Sequence, residues 1–121
     1  MKRLVIDVDL TLTLQGNQEY SEKLPNISVI NKLHEYKSMG YEIVIFSARN
    51  VRTYEGNLGK INKFTLPVLM DWLIKHNVPF DEIIMGKPWC GTDGFYVDDK
   101  SIRPSEFVSL SVDQIHGLIN N

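Results

Sequence analysis

The chain has 121 residues, of which 43% are hydrophobic, 23% charged and 10% aromatic. This length fits one compact domain, and the composition is that of an ordinary globular protein, so a two-domain, disordered or fibrous chain is not expected. Thirteen Lys and Arg against fifteen Asp and Glu give a formal charge of −2, which creates no overall basic field for nucleic acid or anionic lipid. We therefore expect a single domain, residues 1–121, that binds neither nucleic acid nor membranes.

The cysteine count and the N-terminal segment bear on the cellular compartment. Cys90 is the only cysteine, so no internal disulfide can form, and a reducing cytoplasm is the simplest location. The apolar run Leu4-Val5-Ile6 is far shorter than the roughly 7–15 residues of a signal peptide. No stretch approaches the roughly 20 apolar residues of a membrane span. We expect a soluble, cytoplasmic protein.

The first half of the chain predicts a strand, a helix and a second strand. RLVIDV (3–8) and YEIVIF (41–46) are short apolar runs typical of buried strands. Between them, apolar residues recur at helical spacing from Asn26 to Met39, with Asn26 as the N-cap and Gly40 after the end. Such a βαβ unit has a right-handed crossover, which makes its two strands parallel.

The second half predicts two more strands and two more helices. Thr65 precedes a helix that runs to about His76, and the box Ser111–Gln114 caps a last helix. DEIIM (81–85) is the third predicted strand and GFYV (94–97) the fourth. The polar segments 12–24 and 50–63 are predicted loops, and Pro104 opens a short turn. The whole pattern predicts a three-layer α/β/α, Rossmann-like fold with a short, mostly parallel sheet.

One predicted connection is short. Only nine residues, GKPWCGTDG, join DEIIM to the fourth strand, whereas a helical crossover needs roughly a dozen. The connection is therefore an extended loop, or the third strand is marginal or antiparallel.

Polar side chains follow every predicted strand, where parallel sheets gather their functional groups. These are Asp7, Asp9 and Thr11 after the first strand, Ser47 and Arg49 after the second, Lys87 after the third, and Asp98 with Asp99 after the fourth. Because strand side chains alternate, Asp7 and Asp9 project to the same side.

A convergence of up to four carboxylates needs a cation or a raised pKa to relieve the repulsion. Oxygen ligands without nearby His or Cys suit Mg²⁺, which keeps coordination positions open for phosphate oxygens. Ser47, Arg49 and Lys87 are donors suited to a phosphoryl group. The residues thus indicate a magnesium site that handles a small phosphorylated substrate.

The strings VIDVDLTLT, IVIFSAR, GKP and YVDD resemble, in order, the four motifs of the haloacid dehalogenase superfamily, in its phosphatase branch. SARNVRTYEGNLGKIN and GKPWCGTDGFYVDDKSIRPSEF are similar to a small, capless bacterial group linked to capsular polysaccharide biosynthesis. The similarity spans nearly the whole chain. It implies a Mg²⁺-dependent phosphatase without a cap domain, acting on a phosphorylated sugar or polyol of surface glycans.

The resemblance also implies residue roles. Asp7 would be the nucleophile that becomes an aspartyl-phosphate, and Asp9 the general acid and then the base that activates water. Ser47 would bind the phosphoryl group, and Lys87 would hold both that group and Asp7. Thr11 follows the first strand and Arg49 the second, and we expect both to contact substrate. Arg49 could equally hold a carboxylate in place.

For the metal, the resemblance places Mg²⁺ between Asp7, the backbone carbonyl of Asp9 and Asp98, with Asp99 a direct or water-mediated ligand. Leu10 departs from the pattern, since the family often has Gly there. Without a cap, the site is open unless the loops 12–24 and 50–63, or a neighbouring subunit of a homo-oligomer, cover it.

Two other functions fit part of the pattern. A response-regulator-like module would use Asp, Mg²⁺ and Lys to hold phosphate as a signal, but its adjacent acidic pair belongs after the first strand, whereas here Asp98-Asp99 comes last. A polynucleotide end phosphatase is the other alternative, which the charge of −2 disfavours.

Overall fold

Three parallel strands form the sheet in the computed structural model, which describes residues 1–120. The strands are β1 (Arg3–Ile6), β2 (Glu42–Ser47) and β3 (Glu82–Met85), in the order β1-β2-β3. Val5 pairs with Val44, and Ile45 pairs with Ile83. β2 is the central strand, with Ile43, Val44 and Ile45 buried, while β1 and β3 are the edges. The chain thus has an α/β fold with a small, open, parallel sheet, which is compatible with a Rossmann-like topology.

Three of the four predicted strands are confirmed, and the third is parallel to β2. The alternative of an antiparallel third strand is therefore excluded. The fourth predicted strand, residues 94–97, is not a strand. The apolar run GFYV carries a strand propensity, but a strand also needs a hydrogen-bonded neighbour, which four residues of sequence cannot specify.

The α-helices are α1 (Ile27–Ser38), α2 (Leu58–Lys60), α3 (Leu66–Lys75), α4 (Pro104–Ser109) and α5 (Val112–Ile119), with a 3₁₀ turn at Tyr20–Glu22. α1, α3 and α5 match the predicted helices with small shifts at their ends, whereas α2 and α4 were not predicted as helices. Asn26 caps α1 by accepting from Val29 N, and Ser111 caps α5 by accepting from Gln114 N. Both predicted caps are confirmed. Pro104 begins the helix α4 rather than a turn.

The predicted loop 50–63 is wrong in its last part, because α2 begins at Leu58. The Asn57 side chain accepts from Lys60 N and starts this helical turn, and buried Ile61 anchors it. A π-helical turn, Ile61–Thr65, then joins α2 to α3. Pro67, the second residue of α3, cannot donate a backbone hydrogen bond, which favours an irregular helical turn at this place.

The core lies around β2. Ile43 and Ile45 of this strand are fully buried. α1 contributes Val29 and Leu33, and α3 contributes Leu69, Trp72 and Leu73, all buried. The Trp72 indole N–H donates to the carbonyl of Lys23 (2.8 Å), which ties α3 to the segment before α1. This packing holds the carboxyl ends of the strands in fixed positions.

The chain divides into two compact units, residues 1–89 and residues 90–120, and each is described by itself. The first contains the sheet with α1 to α3. The second contains α4 and α5. At the start of α4 the Glu106 side chain accepts from the backbone N–H of Arg103 (2.9 Å), and α5 is started by a reciprocal capping box of Ser111 with Gln114. The single domain expected from the chain length stays a prediction. In the part of the chain that is described, no helix has the length and apolar character needed to span a bilayer.

A tight turn follows β1. The buried residue Val8 accepts three backbone hydrogen bonds through its carbonyl, from Thr11, Leu12 and Thr13. To make this turn, Leu10 adopts a φ of 62°, in the left-handed region that favours glycine. Its N–H donates to Thr13 Oγ1 (2.9 Å). The backbone conformation explains why a glycine suits this position.

Replacing Leu10 by glycine tests this strain. A non-glycine residue in the left-handed region costs about 1–2 kcal/mol, and glycine loses about 0.5–1 kcal/mol in chain entropy. Since Leu10 is 65% exposed, little apolar burial is lost. We expect Leu10→Gly to raise the free energy of unfolding by about 0.5–1 kcal/mol in urea titrations. The matched variant Leu14→Gly, at negative φ, should lower it, and equal losses in both variants would contradict the assignment of strain.

Candidate functional site

Asp7 lies directly after β1, with a side chain that is 36% exposed. Thr11 Oγ1 donates to Asp7 Oδ2 (3.3 Å), and Lys87 Nζ is 3.9 Å from Asp7 Oδ1. Lys87 reaches this place from the carboxyl end of β3, two strands away from β1 in the sheet. The structure therefore brings together three of the residues singled out in the sequence.

The pKa of Asp7 is raised above its ordinary value of 3.8, chiefly because burial disfavours the charged carboxylate. The Lys87 ammonium opposes this shift, as do the hydrogen bonds from the Val8 backbone and from Thr11, while the negative charge of Asp9 adds to it. A half-buried carboxylate whose burial is only partly offset by its neighbours is a candidate functional group.

Asp9, two residues further, has a different environment. Arg49 binds its carboxylate in a fork, with Nη2 2.9 Å from Oδ1 and Nε 3.2 Å from Oδ2. The Arg49 side chain is completely buried, and its guanidinium lies over the Tyr20 ring, 4.1 Å from the ring centre. Such a pair fixes both position and orientation of the carboxylate. Arg49 is therefore a brace for Asp9, one of the two roles that its sequence position allowed.

One guanidinium nitrogen, Arg49 Nη1, is buried and has no hydrogen-bond partner within residues 1–120. The contact of Arg49 with substrate, expected from the sequence, stays a prediction. Tyr20, which stacks on this guanidinium, was not found from the sequence. It lies in a polar segment without periodicity, and no motif around it signals a contact with a residue 29 positions later.

Ser47, the last residue of β2, forms hydrogen bonds with the backbone of both Arg49 and Lys87. Its Oγ accepts from the backbone N–H of Arg49 (3.0 Å), and its carbonyl accepts from the backbone N–H of Lys87 (3.1 Å). Ser47 is fully buried. It thus aligns the start of both segments that carry the cations, and its predicted contact with a phosphoryl group stays a prediction.

The approach of Lys87 depends on Gly86. This glycine has a φ of 87°, and the Leu58 side chain occupies the place where a Cβ atom would lie. Two residues beyond Lys87, the Trp89 ring is partly exposed, and the Arg52 guanidinium lies 5.3 Å from its centre. The segment that carries Lys87 therefore also carries an aromatic ring, Trp89, with the Arg52 cation close to it.

Asp98 and Asp99 belong to the second unit. Both are exposed, and Asp98 Oδ1 accepts from the backbone N–H of Lys100 (2.8 Å). Their predicted approach to Asp7 stays a prediction. Among residues 1–120, no three His, Cys, Asp or Glu side chains gather into a metal-binding group.

The raised pKa of Asp7 makes a stability prediction. Below pH 3.8 the carboxyl group is protonated in folded and unfolded chains alike, so its burial costs little. As the pH rises through the folded pKa, the buried charge destabilises the fold. We expect Asp7→Asn to be more stable than the parent at neutral pH in chelator, with the difference shrinking towards about pH 3.5 in urea titrations. Asp71→Asn on α3 is the control; a difference that does not change with pH would contradict this assignment.

Comparisons with known proteins identify relatives among solved structures. No protein-family model and no curated protein sequence matches the chain. A chain in the structure of a Pnkp1/Rnl/Hen1 complex is similar in fold, with a TM-score of 0.54 and 24% identity over 90% of this chain and 34% of that one. An MCSG target from Vibrio cholerae, known as a crystal structure, is 56% identical over 99% of this chain and 98% of that one, with a TM-score of 0.97. The chain belongs to the same protein family as this Vibrio cholerae protein.

Proposed function

We propose that the protein is a Mg²⁺-dependent phosphomonoesterase of the haloacid dehalogenase type, acting through an aspartyl-phosphate. The observation that carries the proposal is the contrast between Asp7 and Asp9. One carboxylate is half-buried beside a lysine, and the other is held by a buried arginine. Two carboxylates in different environments at one site are suited to two different roles.

Asp7 is the nucleophile of the proposed reaction. A carboxylate oxygen attacks phosphorus, the bond from phosphorus to the ester oxygen breaks, and the leaving alkoxide takes a proton. Thr11 orients the Asp7 carboxylate through its hydrogen bond to Oδ2. Lys87, 3.9 Å from Oδ1, is positioned to neutralise phosphoryl oxygens as well as Asp7.

Asp9 is the general acid and then the general base of the proposed reaction. It protonates the leaving oxygen in the first step and removes a proton from the attacking water in the second. Arg49 acts as a positioning residue, because its fork holds the Asp9 carboxylate at one place. The acid step requires Asp9 to turn one oxygen away from Arg49 towards the substrate.

The donor chemistry of the site fits Mg²⁺. Asp7 and the Asp9 carbonyl are hard oxygen donors on one turn, and the Asp9 carboxylate is already engaged by Arg49. Asp98 and Asp99 are the further ligands in this proposal. Bound Mg²⁺ supplies positive charge to the phosphoryl oxygens and relieves the repulsion among the carboxylates.

The proposal includes a three-layer, capless fold and a cytoplasmic location. The substrate class is a phosphorylated sugar or polyol of surface polysaccharide synthesis. Trp89 supports a sugar, since a partly exposed aromatic ring two residues from Lys87 can stack on a sugar face while Arg52 attracts an anion.

An oligonucleotide with a terminal phosphate is the second candidate. Trp89 under Arg52 could also stack on a nucleobase, and the chain shares its fold with part of a Pnkp1/Rnl/Hen1 complex. The formal charge of −2 favours the small substrate over a polyanion.

Phosphate release tests the two acid roles. Against a panel of sugar, polyol, nucleotide and oligonucleotide phosphates with Mg²⁺, Asp7→Asn should abolish turnover and Asp9→Asn should lower kcat by about 10²–10⁴. Chelator should abolish the parent's activity. Asp71→Asn is the matched control and should retain it.

An Asp7→Asn variant as active as the parent would refute the assignment of Asp7 as the nucleophile. Because Asp9→Asn leaves the buried Arg49 without its anionic partner, its fold is checked by circular dichroism before the rate is compared. A stable phosphate on Asp7 with no turnover of any ester would instead support the signalling module.

Trp89→Ala tests the substrate class. Aromatic stacking contributes about 0.5–1.5 kcal/mol, so KM for a sugar phosphate should rise about 2- to 10-fold while KM for a small acyclic phosphate stays unchanged. Phe64→Ala, which also removes an exposed ring, is the control. An equal rise for both substrates would contradict sugar stacking, and a rise confined to oligonucleotides would favour the second candidate.

A further inference from the structure

Tyr20 lies against the cation that holds Asp9. The centre of its ring is 4.1 Å from the Arg49 guanidinium carbon, closer than the 5.3 Å between Arg52 and the Trp89 ring. An aromatic face attracts a cation because its π electrons make it negative, and the attraction is stronger where the cation is shielded from water. The Arg49 side chain is completely buried. Its contact with Tyr20 is therefore of the stronger kind.

The ring and the Asp9 carboxylate bind the guanidinium in different ways. Asp9 accepts two directional hydrogen bonds, from Arg49 Nη2 (2.9 Å) and Nε (3.2 Å). Tyr20 instead offers the face of its ring. The attraction of that face does not depend on how the Asp9 oxygens are turned. It therefore still acts on the cation when one of the two hydrogen bonds is released.

The contact uses the ring of Tyr20 and not its hydroxyl group. In the part of the chain that the structure describes, the Tyr20 side chain contacts the Arg49 guanidinium through its ring, and no hydrogen bond of its hydroxyl is found. Tyr20 is 40% exposed, whereas Arg49 is buried. The ring is therefore an outer cover over a buried cation.

The ring is carried by the segment 12–24, which is tied down near its end. An antiparallel bridge between Thr13 and Pro25 closes the base of the segment. The carbonyl of Lys23 accepts from the indole N–H of Trp72 on α3 (2.8 Å). These bonds fix the chain on either side of the 3₁₀ turn in which the ring lies.

Arg49 has a reason to move if the ring is removed. Its Nη1 is buried and has no hydrogen-bond partner within residues 1–120. A buried donor without a partner is unfavourable, so water that reached the guanidinium would bind this nitrogen and compete with Asp9. The cation would then occupy several positions, and the Asp9 carboxylate would follow it.

We propose that Tyr20 is a positioning residue for the proton transfers of Asp9 and acts through Arg49. This inference rests on the proposed function. In the acid step the proton passes from the Asp9 carboxyl group to the leaving oxygen, and a carboxylate remains. During this step one oxygen of Asp9 faces the substrate, so the cation keeps a single hydrogen bond to it. Tyr20 holds the cation at the place to which the carboxylate returns.

A purely structural role is the alternative, in which Tyr20 only stabilises the fold by covering a buried charge. The two roles differ in the reactions that they affect. Loss of a structural cover lowers the rate for every ester alike. Loss of a positioning residue for the acid lowers the rate only for esters whose leaving oxygen needs a proton.

Two esters separate these roles. The alkoxide of glycerol phosphate needs a proton to leave, whereas the phenolate of 4-nitrophenyl phosphate leaves without one. kcat/KM compares the free enzyme with the first transition state, so it reports the acid step without the later hydrolysis. We expect Tyr20→Ala to lower kcat/KM for glycerol phosphate about 5- to 30-fold, which corresponds to a cation–π contact of about 1–2 kcal/mol. For 4-nitrophenyl phosphate, kcat/KM should stay within about twofold of the parent's.

Three further variants identify the group that acts. Tyr20→Phe keeps the ring and should restore kcat/KM for glycerol phosphate. Tyr20→Leu keeps an apolar cover without a π face and should behave like Tyr20→Ala. Tyr54→Ala removes a tyrosine ring that stacks on Phe64, 5.9 Å between centres, and is the matched control. The fold of each variant is checked by circular dichroism.

An equal fall for both esters in Tyr20→Ala would overturn the inference, and so would no fall for either. A loss in Tyr20→Phe as large as that in Tyr20→Ala would also overturn it, because the ring would then not be the group that acts.

Proton exchange at Arg49 tests the contact without any assay of activity. Its Nε–H is buried and bonded to Asp9, so its ¹⁵N–¹H signal should persist at neutral pH and show a nuclear Overhauser contact with the Tyr20 ring. Exchange of this proton with water should be at least about tenfold faster in Tyr20→Ala and unchanged in Tyr20→Phe. An unchanged rate in Tyr20→Ala would overturn the inference.

The two proposals fail in different ways. If the parent hydrolyses no phosphate ester, the proposed function fails and the positioning role with it, while proton exchange still decides whether Tyr20 fixes the Arg49 side chain. If the parent is active and Tyr20→Ala affects both esters equally, the phosphatase stands and the positioning role fails.

Discussion

Two carboxylates, two residues apart at the end of a buried strand, impose the constraint on which this site depends. Neither can be half-buried without a cation, and the sheet supplies one to each: Lys87 from beyond β3 and Arg49 from beyond β2. Ser47 links the two cation-bearing segments, because its hydroxyl accepts from the backbone N–H of Arg49 and its carbonyl from that of Lys87. The order of the strands therefore matters chemically, since a central β2 places its last residue between the two sources of positive charge.

The parts of the fold with strong periodicity could be predicted, and the parts that depend on a distant partner could not. α1 and α5 followed from apolar spacing and from the caps at Asn26 and Ser111. The three strands followed from apolar runs that end at polar residues. The segment 94–97 has the same local pattern, but strand formation depends on a neighbouring edge. In the site, the hydrogen bond from Thr11 to Asp7 arises within the tight turn after β1 and was not predicted, and the burial of Arg49 under Tyr20 depends on how two loops pack.

The site is built from costly features. Asp7 carries a charge that burial disfavours, Arg49 is buried with one nitrogen lacking a partner in residues 1–120, and Leu10 occupies the left-handed region. All three lie on the segments that surround one carboxylate pair. Surrounding packing must compensate for such local strain, and the buried residues of α1, β2 and α3 provide it. This distribution is typical of proteins in which reactive groups are held in place by a rigid core.

The π-helical turn at Ile61–Thr65 links helix geometry to the lysine. Each residue of an α-helix advances the chain by about 100°, so the extra residue of a π turn rotates α2 relative to α3 by roughly that angle. In the present phase, Leu58 points at Gly86 and covers the backbone next to Lys87. A homologue that lacks this extra residue would turn Leu58 away and uncover that backbone. The π turn, more than twenty positions before Lys87, thus determines whether Leu58 covers the backbone next to Lys87.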